Sequence, residues 1–315
     1  MNHGLIIDSI DKRDYIFVGA EGKIKSWLEY LPTRETQHGV YGDTKSCVTF
    51  SIMNQIETKL NSMGHNQWLE DNGYYDENGK VNFSDRFTAV MSNTTNNGNS
   101  GREVYKAVKE FGLIPESMHP YPRKQRTPVF TFGDYHNKSL ITDEMIAKGK
   151  EFSERFDIRY FYVDRGNMEL INEALNDSPL LCYVRTSCTE KVGCSGTPNH
   201  ATMYFTDELK NGWLQVFDSY ESKDKDFIRL MDKEYQFEYN LCSITIKENN
   251  MNFVKEKSKS AVYIKTPDDT YVPIIDQNVV KKVFGGWDKI YITEVDKIDS
   301  KKITSDRLGL ISFEK

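Results

Sequence analysis

Cys47, His200 and Asp218 are the residues of this chain whose types and order could perform covalent chemistry. Cys47 opens a run in which Phe50, Met53, Ile56 and Leu60 recur every three or four residues, the spacing of a helix that ends near Met63-Gly64. Ser46, Thr44 and Asp43 stand ahead of it as candidate caps. A thiol at the first turn of a helix meets unsatisfied amides and the positive end of the helix dipole, and both favour the thiolate. A thiolate becomes a useful nucleophile when an imidazole lies beside it, and a third polar group must then hold that imidazole in one tautomer. His200 is the candidate base and Asp218 the candidate orienting group, with a gap of 200 − 47 = 153 positions between sulfur and ring. Taken singly, each has a plainer reading: a buried small hydrophobe, a satisfied core histidine, a turn residue at a strand end. Their significance lies in the set.

The elements that must bring them together differ between the two halves of the chain. Residues 1–46 have no long helical period, and Leu31-Pro32-Thr33-Arg34 reads as an extended segment leading to the nucleophile helix. A polar, Asn/Gly-rich tract then runs through Asn99. It is followed by a second helical stretch at 101–111, with apolar Val104, Ala107, Val108 and Phe111 and with Gly112 as its carboxyl cap. Past a turn at His119-Pro120-Tyr121-Pro122, helical periods recur at 142–156 and 167–175. Apolar and aromatic runs at 158–163, 180–185, 201–206, 213–218 and 241–247 read as strands of an antiparallel sheet. A helical half thus supplies the sulfur, a sheet half supplies the base, and a cleft is expected between them. Residues 251–260 are polar and Lys-rich, and the short strand signals at 261–264 and 289–292 suggest a small accessory β module, with Trp287 in its core.

With the residues in this order, the chain resembles the papain-like cysteine peptidases. The resemblance is carried by Lys45-Ser46-Cys47-Val48-Thr49-Phe50-Ser51, continuing to Glu57, by Asp11-Lys12-Arg13-Asp14-Tyr15 and by Leu31-Pro32. Further matches are Gly98 to Gly101 leading into Arg102-Glu103-Val104-Tyr105-Lys106-Ala107, Phe111-Gly112-Leu113-Ile114-Pro115-Glu116, and Pro120-Tyr121-Pro122. Asn199-His200-Ala201 and Phe217-Asp218-Ser219-Tyr220 are similar to the family's His-Ala and Asn-Ser-Trp strands. Together these matches cover about residues 8 to 248.

The resemblance implies an α+β, papain-like two-lobed domain at 1–248, with a helical lobe at about 47–125 and a β lobe at about 155–248; the strand signals beyond it give a small accessory β module at 249–315. It implies a cysteine peptidase of the bacterial or phage type without a long propeptide, so inhibition by a cleaved prodomain is not expected. Cys47, His200 and Asp218 would form the catalytic set, acting through a thioester acyl-enzyme. Ser100, Gly101 and Asn199 would contact the substrate. Two positions depart from the family pattern. Its oxyanion glutamine lies six residues before the cysteine, where this chain has Tyr41, with Gln37 four positions earlier. Either Gln37 reaches the site by another loop path, Tyr41 donates its hydroxyl, or hydrolysis is impaired. Asp218 stands where the family usually has Asn, and a carboxylate can still accept from the ring N–H while favouring charged His200.

Composition narrows the alternatives. The 315 residues carry 41 Lys+Arg against 47 Asp+Glu, a net charge of −6 that offers no overall attraction to nucleic acid or anionic membrane. The amino terminus does not read as a signal peptide and no run of about 18 apolar residues occurs, so a cytoplasmic protein is expected, or a virion component if phage-encoded. Five cysteines without CxxC pairs suggest free thiols rather than a disulfide framework. Cys182, Cys188, Cys194 and His200 are six apart, too widely spaced for a zinc site, and no metal or other cofactor is expected. The expected partner is a polypeptide substrate, with a protein partner conceivable through 249–315. Two rival readings are a papain-like structural or binding protein whose hydrolysis has faded, and an amidase or transglutaminase-like enzyme using the same pair.

Overall fold

The computed structural model describes residues 4–8, 11, 14–19, 22–39, 42–121, 131–220, 227–248, 252–265, 271–273, 292–295 and 297–303. The chain divides into two compact units, Met1–Glu248 and Asn249–Lys315.

In the first unit a two-stranded hairpin, β1 (His38–Gly39) and β2 (Gly42–Asp43), leads into α1 (Cys47–Ser62). Then follow α2 (Gln67–Asp71), α3 (Asp85–Met91), α4 (Gly101–Phe111), α5 (Phe132–Tyr135) and α6 (Asp143–Arg155). The remainder is β3 (Phe156–Val163), α7 (Met168–Asp177), β4 (Leu180–Val184), β5 (His200–Lys210), β6 (Trp213–Phe217), β7 (Ile228–Asp232) and β8 (Leu241–Glu248). The helices are capped as their sequences dictate. Ser84, Ser100, Thr142 and Asn167 each accept from an amide of the first turn, and Gly112 closes α4 at φ 68°, where a Cβ would collide with the carbonyl of Gly149.

The tract before Asn99, read above as a polar connection, contains α2 and α3. Every residue of α3 is buried, including Asp85 and Arg86, so the apolar stripe that marks a surface helix is missing. Arg86 is accommodated by donating to the backbone carbonyls of Asp134 and Tyr135. The nucleophile helix is likewise buried on nearly all sides, with Cys47 to Thr58 and Leu60 enclosed. Its two longest buried polar side chains find partners, while the Thr49 and Ser51 hydroxyls do not: Gln55 donates to the carbonyls of Pro179 and Cys242 at 2.7 and 2.8 Å, and Glu57 accepts from the Phe83 amide at 2.7 Å.

The sheet has the order β3-β8-β4-β5-β6-β7 with antiparallel neighbours throughout. Alternation along β4 separates two cores, as a period of two requires. Leu181 and Tyr183 pack in the cluster that holds α1, and Leu180, Cys182 and Val184 pack in the opposite cluster with α7 and Trp27. Helix α1 packs on β5, so the first residues of α1 and of β5 meet at one end of the sheet.

In the second unit β9 (Asn252–Glu256), β10 (Val262–Lys265), β11 (Tyr271–Pro273) and β12 (Ile292–Val295) form a four-stranded sheet in the order β11-β10-β9-β12. β12 runs parallel to β9, and Val254, Val262 and Val272 are buried. Trp287 and the start of the strand signal at 289–292 lie outside the described residues. Among the described residues no helix is long and apolar enough to cross a membrane.

Candidate active site

Antiparallel pairing assembles the base. Met203 of β5 faces Phe217 of β6, so a residue pair at one level sums to 203 + 217 = 420, and continuing that register sets Tyr220 level with His200. By the same sum Asp218, just past the end of β6, is level with Thr202, and its side chain reaches the first residue of β5. Its Oδ1 accepts from His200 Nε2 at 2.6 Å and from the Tyr220 amide at 3.1 Å. Arg229 of β7 stands behind it, with Nε 3.5 Å from Asp218 Oδ2, and also donates to the Tyr220 carbonyl at 3.0 Å. The orienting carboxylate is thus held on both oxygens.

His200 and Cys47 are both fully enclosed. Cys47 is the first residue of α1 and packs in one cluster with Ala201, the neighbour of His200. With Nε2 bound to Asp218, the imidazole interacts with the Cys47 sulfur, and this contact raises its basicity. Burial alone would lower the His200 pKa. The charge and hydrogen bond of Asp218, followed by those of Cys47, override it and push the value up to about 10. At the helix start no side chain caps the first amides, and Ser46 instead donates to the Thr44 carbonyl at 3.1 Å. The capping role expected of Ser46, Thr44 or Asp43 is not taken up.

Gln37 lies ten residues before the sulfur, yet the hairpin β1–β2 folds out the intervening chain and its base is closed by Thr44 N donating to Gln37 O at 3.1 Å. Gln37 is fully buried beside the Asp218 segment: its amide donates to the Ser219 carbonyl at 3.0 Å, and its side chain contacts Ser219, Tyr220 and Asp43. Tyr41 lies outside the described residues.

The expected substrate contacts fare unevenly. Ser100 caps α4 through its hydroxyl, and Gly101 lies where a Cβ would meet Tyr183 Oη at 2.5 Å. Asn199 is turned back onto Thr186, accepting from its amide at 3.0 Å, and so steadies the loop that delivers His200. The backbone groups that pair are those of Asn99: its carbonyl accepts from Ile6 N at 2.8 Å and its amide donates to Gly4 O at 2.9 Å. This parallel bridge and the approach of Gly4 to Lys45 set the N-terminal segment beside the start of α1. Leu5 packs in the cluster that contains Cys47, and a Cβ on Gly4 would lie 2.2 Å from the Lys45 carbonyl oxygen. The segment is anchored at Asp8, which accepts from the Arg102 amide at 2.9 Å.

Cysteine pairing corrects the expectation of five free thiols. A 3₁₀ turn at Thr186–Cys188 and positive-φ backbone at Glu190 and Gly193 fold the loop before His200 back on itself, and Cys188 and Cys194 form a disulfide with a Cα–Cα distance of 5.2 Å. Cys47, Cys182 and Cys242 remain thiols. Burial pushes the Cys182 thiol up to about 12 and Cys242 well above its usual range, so neither competes as a thiolate. Among the described residues no group of three metal-ligating side chains occurs.

Arg229 and Asn99 escaped the sequence reading. Arg229 lies beyond the strand that carries the Asp218 motif and carries no local signature, while Asn99 acts through its backbone, which side-chain types do not report.

No protein-family model matches the chain, and no curated protein matches it by sequence. Solved structures do. Xylellain, a cysteine protease from Xylella fastidiosa, superposes with a TM-score of 0.53 at 19% identity, over 78% of this chain and 96% of that one. The digestive procathepsin L2 proteinase of the Tenebrio molitor larval midgut gives 0.52 at 14% identity, over 78% of each chain. Against the proform of the ragweed pollen Amb a 11 cysteine protease the TM-score is 0.48 at 19% identity, and the chain spans 66% of that protein's length and 71% of its own. From its helices, its antiparallel sheet and the first two of these neighbours, the chain has the α+β, two-lobed fold of the papain-like cysteine proteases.

Proposed function

We propose that the protein is a cysteine peptidase in which Cys47 attacks the carbonyl carbon of a peptide bond. The observation that carries this reading is the buried chain of contacts Cys47–His200–Asp218, backed by Arg229. The thiolate sulfur forms a bond to carbon while the C–O π pair moves to oxygen. The tetrahedral adduct collapses as the C–N bond breaks, with the His200 proton passing to the departing amine. Water then adds to the thioester and gives a proton to His200, and the S–C bond breaks to release the acid and restore the thiolate. Gln37 and the amides at the start of α1 supply donors to the oxyanion.

Alkylation by iodoacetamide tests the dyad directly. Cys47 is expected to react at least about 100-fold faster than Cys182 or Cys242 below neutral pH, because only a thiolate attacks at that pH. For peptide hydrolysis, kcat should hold until pH approaches 10 and then fall, because there His200 loses the proton it must give to the departing amine. Asp218→Asn removes the charge that lifts the imidazole, so the alkaline limb should move to lower pH. Equal reactivity of the three thiols across the range would leave the fold without the chemistry. His200 also couples to stability. Its pKa is raised above 6.5, so its contribution is fully present below that value and is lost as pH climbs through about 10.

The N-terminal segment, held beside the start of α1, is expected to slow the same reaction. Leu5→Asp sets a carboxylate in an apolar cluster, which drives the segment outward. A rise of about tenfold in the Cys47 alkylation rate is expected, on the basis that a local opening worth about 1.4 kcal/mol corresponds to a factor of ten. An unchanged rate would show that the segment does not restrict access.

A further inference from the structure

Gln37 is held from three sides. Its Oε1 accepts from Ser219 Oγ at 2.7 Å, and its Nε2 donates to Asp43 Oδ1 and to Tyr220 Oη, each at 3.0 Å. A carboxamide nitrogen carries two hydrogens, and these two acceptors take both. The Tyr220 hydroxyl also hydrogen-bonds to Asp43, which closes a ring of three side chains. Lys45 anchors the ring by donating to Asp43 from its backbone amide at 2.9 Å and from its ammonium at 2.7 Å. Burial opposes the Asp43 charge, but the hydrogen bonds from Lys45, Tyr220 and Gln37 keep its carboxyl below the usual range. Burial and the Asp43 charge raise the Tyr220 phenol, which remains a protonated donor. The ring borders the reacting pair: the Tyr220 centroid lies 5.2 Å from that of His200, and the Tyr220 hydroxyl senses charge at Cys47.

We propose that Asp43 and Tyr220 are positioning residues for the reaction, fixing the amide plane of Gln37 so that its Nε2 can exchange the neutral Tyr220 oxygen for the anionic oxygen of an adduct at Cys47. The exchange is favourable in direction, because a hydrogen bond to a charged acceptor is about twice as strong as one to a neutral acceptor. Fixing the plane matters because a misplacement of about 1 Å at a reacting centre costs about 10²-fold in rate. The hairpin that separates Gln37 from Cys47 explains the need: a donor reached by a longer path requires its own restraint, and Asp43 at the end of β2 provides it. The inference deepens the peptidase reading and rests on Gln37 being an oxyanion donor.

Two reagents separate positioning from mere support of the fold. Iodoacetamide alkylates by displacement, in which an S–C bond forms as iodide leaves and no oxyanion arises. An N-acetylated dipeptide aldehyde adds to the sulfur and does generate an oxygen in the oxyanion position, and its affinity is read from protection of Cys47 against iodoacetamide. In the full-length protein, Asp43→Ala and Tyr220→Phe are each expected to weaken aldehyde affinity and kcat about 10- to 100-fold. KM and the alkylation rate of Cys47 should stay within about twofold, since neither depends on an oxyanion. Asp43→Asn, which keeps an acceptor oxygen, should restore most of the affinity. The double variant Gln37→Ala/Asp43→Ala should be no worse than Gln37→Ala alone. Multiplicative losses in the double variant, or a fall in alkylation as large as the fall in aldehyde affinity, overturn the proposal. So does a wild-type protein that alkylates selectively at Cys47 yet gains no protection from the aldehyde. Protection without any peptide hydrolysis supports it, and removes only the peptidase reading.

Discussion

Cys47→Ala and His200→Ala are each expected to lower kcat for peptide hydrolysis by about 10⁴-fold or more, and the double variant should be no slower than either single one. The sulfur and the imidazole act as a unit: without the sulfur no acyl-enzyme forms, and without the ring no proton reaches the departing amine. The thiolate also loses the charged neighbour that stabilises it. The two variants should differ in stability. Cys47→Ala removes one buried sulfur from an apolar cluster and should be tolerated, whereas His200→Ala strips the buried Asp218 of its partner at 2.6 Å and should cost about 1–3 kcal/mol. Arg229 limits that loss by remaining beside the other carboxylate oxygen. Urea denaturation of both variants, alongside kcat, separates lost chemistry from lost fold. Turnover that survives Cys47→Ala would overturn the peptidase reading.

Gln37→Ala is expected to reduce kcat about 10²- to 10³-fold with a smaller change in KM, the magnitude found when one oxyanion donor is removed. Activity should fall rather than vanish, because the helix-start amides of α1 have no side-chain cap and remain to share the charge. The variant should also lose about 1–3 kcal/mol of stability, since Ser219 Oγ and Asp43 Oδ1 each lose a hydrogen-bond partner. Tyr41→Phe is the matched control. Should Tyr41 be the donor instead, its loss of a hydroxyl would carry the kinetic penalty and Gln37→Ala would affect stability alone. If both variants keep the wild-type rate of a slow enzyme, the reading of a weakened, binding-type relative gains ground.

The aldehyde and alkylation measurements bear on the same question from the resting protein. Asp43 looks, in sequence, like one of three interchangeable caps for the nucleophile helix. In the fold it caps nothing and instead binds Lys45, Gln37 and Tyr220. A short polar residue near a helix start has several acceptors within reach, and local spacing does not choose between them. Tyr220 was legible only as part of a motif. Its position level with His200 comes from the pairing of β5 with β6.

What the sequence determined by itself was the part governed by local periodicity and residue chemistry. The recurrence of Phe50, Met53, Ile56 and Leu60 announces α1 with the cysteine at its head, Gly112 ends α4, and the apolar runs after residue 155 mark the strands of the sheet. Those features depend on neighbours a few positions away, so a linear reading reaches them. What only the tertiary structure decided depends on pairs distant in the chain. The register of β5 on β6 brings Asp218 and Tyr220 near His200, and the hairpin lets Gln37, ten residues before the sulfur, pack against Ser219. The loop before His200 closes Cys188 onto Cys194, α3 is buried with no stripe to reveal it, and the N-terminal segment pairs with Asn99. Each of these is a contact whose energy arises after the fold has formed, when burial and hydrogen-bond satisfaction choose among partners that the linear order leaves equivalent.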